Sequence, residues 1–106
     1  MGTFAYTAPE QIEHLNDFDN QFKLESDMWS VGVIIYFLVS GIHPFQGNNN
    51  KELFKSISSC DYDFEPEHLW QNISGDCKNL IEGLLEPNVK KRLTPDMALK
   101  HPWFAK

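Results

Sequence analysis

Cysteine is scarce in this sequence, glycine is scattered, and positive charge is outnumbered by negative; each shortage removes a class of function. Cys60 and Cys77 are too few for a disulfide framework and too far apart for a CxxC site. The six glycines (Gly2, Gly32, Gly41, Gly47, Gly75 and Gly83) form neither a GxGxxG element nor a phosphate loop. His14, His43, His68 and His101 show no metal-ligand spacing, so each reads as a surface or packing residue. No serine sits in a nucleophile elbow. Nine basic against fifteen acidic residues leave a net charge of −6. That sign disfavours nucleic acid and anionic membrane as partners, since both need a cationic surface. Met1 is followed by neither a basic cluster nor a long apolar run, the two parts of a secretory signal. The sequon Asn72-Ile73-Ser74 therefore reads as unused, and a reducing, intracellular and cytoplasmic setting is expected.

What is present is a core. The chain has 106 residues, 42% of them hydrophobic, with eight Phe, three Tyr and three Trp. That suits one packed domain, residues 1–106. The most informative segment is DMWSVGVIIYFLVS, 27–40. Its residues favour strands, but about twelve continuous apolar positions suit a helix better. They fall short of the roughly twenty needed to cross a bilayer. Ser26 or Asp27 can cap the start, and Gly41 followed by Pro44 ends it. A helix apolar all round is expected to be buried on every side.

Further helices follow. Asn48 to Asn50 offer caps for KELFKSIS, whose Leu53, Phe54 and Ile57 share a face. CDYDFEPEHLW reads as a solvated acidic loop, without the spacing or glycine of an EF-hand. Ser74 caps an amphipathic helix with Cys77, Leu80, Ile81, Leu84 and Leu85 on one face, stopped by Pro87. Thr94-Pro95 opens a last helix running into HPWF. The expected fold is all-α, about four to five helices around a central buried one.

On these features alone the chain is a helical domain. The stretch GTFAYTAPE, however, resembles the end of the activation segment of Ser/Thr protein kinases, GTxxYxAPE. SDMWSVGVIIY, SGIHPF, KRLT and HPWF follow in the family's order. Five ordered blocks resemble the C-terminal half of a kinase large lobe, nearest the calcium/calmodulin-dependent group. Met1 stands where the family has a residue inside the activation segment, so the chain is expected to be a truncated domain. The Gly-rich loop, the ATP-positioning lysine, HRD and DFG have no counterpart. The resemblance therefore implies a kinase domain using ATP and Mg when complete, with no cofactor, metal or catalytic residue in this chain. The alternative is a non-catalytic protein-binding module. Expected partners are protein or peptide substrates and regulatory proteins.

The resemblance also assigns residues. Gly2, Thr3 and Tyr6 belong to the substrate-facing loop, although Thr3 also suits a simple turn. Glu10 corresponds to the APE glutamate and Arg92 to its buried partner, so the two are expected to form an ion pair. Asp27 would hold the absent catalytic loop, and so should be exposed or left without partners here. Trp29 and Trp103 read as core, and Leu53 and Phe54 lie on a helix that resembles one the family uses for docking, although core packing explains these two equally well. Apolar surface near Met28, Val31 and Ile35 is expected to be exposed and to drive self-association.

Overall fold

The computed structural model describes residues 2–13 and 23–104, and among them there are helices and turns but no strand. A 3-10 turn, Gly2–Tyr6, leads into α1 (Pro9–Glu13), then α2 (Lys23–Ser40), α3 (Asn50–Ser58) and α4 (Glu67–Trp70). α5 (Gly75–Leu84), α6 (Pro95–Leu99) and a closing 3-10 turn, Pro102–Phe104, complete it. The all-helical reading holds, with single turns at α1, α4 and α6 beside the longer elements.

Local chemistry sets most boundaries. The side chain of Asn49 accepts from the Glu52 amide, while Glu52 reaches back to the amide of Asn48. This variant of the capping box fixes the start of α3. Ser74 caps α5 by accepting from Cys77, and Thr94 caps α6 by accepting from Met97 with Pro95 at the first position. Gly41, at φ +82°, ends α2 in the left-handed conformation that glycine adopts freely.

α2 departs from expectation twice. It is already helical at Lys23, so Ser26 and Asp27 lie inside it and neither caps its start. Lys, Leu and Glu are good helix formers, which carries the helix upstream of the apolar run. Nor is it buried all round. Trp29 and Val33 are 0% exposed, whereas Leu24, Val31, Ile34 and Leu38 are open at 60%, 39%, 44% and 73%. Of the three positions expected to be open, Val31 is, Met28 is buried and Ile35 is half-buried. Met28 and Ile35 point instead at Leu80, Leu84 and Ala98 on α5 and α6. The side of α2 facing α5 is covered; a stripe on another side is not.

α2 and α5 meet at Gly32. A Cβ there would stand 2.8 Å from Leu84 Cβ and 3.0 Å from Leu85 Cδ2. The backbones can approach because that position carries no side chain.

The segment 60–70 is not merely a solvated loop. Asp61, Asp63, Glu65 and Glu67 are exposed, but Tyr62, Phe64 and Trp70 turn inward. Tyr36 of α2 sits among them, its ring 4.6 Å from Trp70 and 6.1 Å from both Tyr62 and Phe64. Its hydroxyl donates to the Asp63 carbonyl at 2.6 Å. Phe45 extends the cluster from Tyr62 (5.7 Å) to Trp29 (5.5 Å, stacked). Alternation of acid and aromatic residues puts one set in water and the other in the core. Among the described residues no helix is long and apolar enough to cross a membrane.

Candidate functional site

The start of the chain is tied to the base of the fold through one buried arginine. α1 carries Glu10, 8% exposed, and the segment after α5 carries Arg92, 2% exposed. The Leu93 amide donates to the Gly83 carbonyl, which folds that segment back along α5. Arg92 Nη1 lies 2.7 Å from Glu10 Oε2, and Nη2 lies 2.9 Å from Oε1. This is the two-pronged grip of a planar guanidinium on a carboxylate. Nη1 also donates to the Glu25 carbonyl at 2.8 Å, and Nε to the Glu86 carbonyl at 2.8 Å. The guanidinium carbon stands 5.0 Å over the Trp29 ring, so Trp29 packs against the charge as well as filling the core.

Glu10 is further held by Ser26, whose hydroxyl donates to Oε2 at 2.7 Å and accepts from Gln11 Nε2. Burial pushes the Glu10 carboxyl up, but the hydrogen bonds from Arg92, Ser26 and its own backbone, with the Arg92 charge, prevail. The net result lies below the ordinary carboxylate value. A carboxylate held ionised with both oxygens engaged suits anchoring better than proton transfer.

The expected substrate-facing loop is the 3-10 turn and the residues after it. Of Gly2 and Thr3 only the backbone is described. The Tyr6 carbonyl accepts from Ser30 of α2 at 2.8 Å, and its ring meets His43 edge-on at 5.5 Å. Phe4 meets Phe54 of α3 edge-on at 5.2 Å, and Leu53 packs against the core, so both expected docking residues are half-buried against this chain. Asp27 is exposed on α2. Trp103 is half-buried, bridging the two core clusters. His68 is exposed, and His14 lies outside the described residues. His101 is buried, with Nε2 2.7 Å from Asn79 Oδ1 and Nδ1 accepting from the Trp103 amide.

Ser26 and Ser30 were missed as site residues. Small hydroxyl side chains four apart on a largely apolar helix were the available signal, since both lie on the same face. The Glu25 and Glu86 carbonyls carried no signal, because every residue has one.

The described residues offer no set that fits the ATP and Mg implied by the resemblance. Among the described residues no group of three or more His, Cys, Asp or Glu could hold a metal ion. Gly32 and Gly83 lie against Leu84 and Leu93, and neither lines a phosphate cradle.

The chain is similar throughout to known kinases. The smooth-muscle myosin light chain kinase of Gallus gallus is 41% identical over 106 residues, covering 100% of this chain and 5% of that protein. The calcium and calcium/calmodulin-dependent serine/threonine-protein kinase of Lilium longiflorum is 41% identical over 103 residues, covering 97% and 19%. Among solved structures, the twitchin kinase region of C. elegans superposes with a TM-score of 0.86 at 38% identity, covering 97% of this chain and 17% of that one. The Rad53 kinase domain with SCD2, in complex with AMPPNP, gives 0.83 at 33%, covering 100% and 40%. The chain thus spans 5% and 19% of these two curated relatives. The protein kinase domain model matches residues 1–104, and the chain belongs to the protein kinase domain family, beside its calcium/calmodulin-dependent members.

Proposed function

We propose that residues 1–106 form the C-terminal part of the large lobe of a serine/threonine protein kinase, carrying its substrate-facing loop and helical base. In the complete domain the reaction is phosphoryl transfer from ATP to hydroxyls of protein substrates. The observation that carries this reading is the buried Glu10–Arg92 grip, which anchors the GTFAYTAPE segment to the KRLT segment. Such an anchor keeps a peptide-facing loop in one shape while other parts of a domain hold the nucleotide. Here Gly2, Thr3 and Tyr6 belong to the substrate-facing loop, Glu10, Asp27, Trp29 and Arg92 anchor, and Leu53 and Phe54 belong to the docking helix. ATP and Mg are held outside this chain, which by itself transfers no phosphate. The setting is intracellular and the partners are proteins.

Two measurements test this. A polypeptide that carries this sequence within a complete domain should phosphorylate serine or threonine peptides, and residues 1–106 alone should show no thermal shift with Mg-ATP. A reproducible shift in the isolated chain would overturn the division of labour. A polypeptide without phosphoryl transfer, yet binding proteins through the 2–8 and 50–58 surfaces, would replace the kinase reading with a binding module.

A further inference from the structure

We propose that Ser30 and His43 are positioning residues that grip Tyr6 from two sides and, through it, shape the peptide-facing loop. The peptide half of this inference rests on the kinase reading above; the grip does not.

The need for a grip follows from the backbone. In a 3-10 turn a carbonyl is closed by the N–H three residues on. For Tyr6 that residue is Pro9, which has no N–H to give. The Ser30 hydroxyl supplies the missing donor, 2.8 Å from the Tyr6 oxygen. A second acceptor, the Ser26 carbonyl, lies 3.3 Å away, the usual back-bond of a helical serine. One proton serves one acceptor well, and the shorter contact takes it.

The second arm holds the ring. His43 stacks on Phe37 with centroids 4.6 Å apart and planes 18° apart, and meets Tyr6 at 5.5 Å and 84°. Its Nδ1 is buried and has no hydrogen-bond partner among the described residues. Ring contacts, rather than hydrogen bonds at that nitrogen, therefore set the imidazole's place. One arm stands on α2 and the other leans on it: Ser30 and Phe37 lie within the helix, while His43, in the loop after Gly41, is stacked on Phe37. A support built on a helix positions a loop more tightly than one built on another loop. Tyr6 is thus held by its carbonyl and by its ring, on opposite ends of one residue.

Four variants and two readouts test the grip. Ser30→Ala and His43→Ala should speed native-state hydrogen exchange of the Thr7 amide, which closes the turn onto Phe4, while the α5 amides keep their rates. The expected change is about 3- to 10-fold, the equivalent of losing one ordinary hydrogen bond. Ser30→Thr keeps the hydroxyl and His43→Phe keeps the ring, so both should restore the slow rate. In the kinase-competent polypeptide the two alanine variants should raise KM for peptide by a similar factor, with kcat and KM for ATP unchanged. Unchanged exchange at Thr7, or α5 exchange rising in step with it, overturns the grip. A loosened Thr7 without a change in peptide KM overturns the peptide half. If the unaltered polypeptide has no kinase activity, the kinase reading fails, and exchange at Thr7 still decides the grip.

Discussion

Arg92 makes four hydrogen bonds, two to one carboxylate and two to backbone carbonyls, one in α2 and one in the loop after α5. Lysine could not reproduce that fork. Arg92→Lys should cost on the order of 2 kcal/mol in urea unfolding, since at least two bonds are not remade. Glu10→Gln leaves the guanidinium buried without a countercharge and should cost about 3–5 kcal/mol. The double variant should cost at least about 1 kcal/mol less than the sum, as for residues in direct contact; strict additivity would remove the pair from the stability of the fold. Glu10 also sets an acid dependence. Its folded pKa lies below its ordinary 4.5. The stabilisation it brings is complete above that value and fades as pH falls through the folded pKa. Melts of the native chain and Glu10→Gln should therefore converge below about pH 4.5, whereas a gap that persists to strong acid would contradict the assignment.

At the scale of elements, the contact of α2 with α5 turns on Gly32. Ala is favoured over Gly in a helix by about 1 kcal/mol. Here the new methyl would meet Leu84 Cβ at 2.8 Å, an atom fixed close to the α5 backbone. Overpacking costs about 1–3 kcal/mol, so Gly32→Ala should be destabilising on balance. Gly75, at the start of α5, has open space where a Cβ would go and carries no positive φ. Gly75→Ala should be neutral or stabilising by roughly 0.5 kcal/mol. Denaturation midpoints that move in the same direction for both would show that helix propensity, not the helix approach, governs Gly32.

At the scale of the whole molecule, the described residues leave one stripe of α2 uncovered. Leu24, Val31 and Leu38 recur every seven residues with Ile34 between them, and all four are exposed. A patch of this kind drives association. Residues 1–106 should bind a hydrophobic dye and sediment as more than monomer at micromolar concentration. Ile34→Lys and Leu38→Lys should reduce both effects while leaving the melting temperature within a few degrees, since neither side chain is in the core. A monomer without dye binding, or a large loss of stability in either variant, would show that the stripe is covered in solution.

Local signals were legible because their physics is local. Asn49, Ser74 and Thr94 each satisfy an amide within three residues, and the α5 stripe repeats at the helical period, so caps and one buried face could be read directly. The meeting of Glu10 with Arg92, 82 positions apart, was legible only through the ordered motifs, since spacing in the chain carries no such information. Three things awaited the tertiary structure. A helix as apolar as α2 has no phase, so its sequence could not say that Trp29 and Val33 face inward and Leu38 outward; the position of α5 decided that. The acids of 60–70 masked the aromatic residues between them, and only the docking of Tyr62, Phe64 and Trp70 around Tyr36 turned an alternating segment into core. Backbone carbonyls are alike at every residue, which is why Glu25 and Glu86 became partners of Arg92 through folding alone.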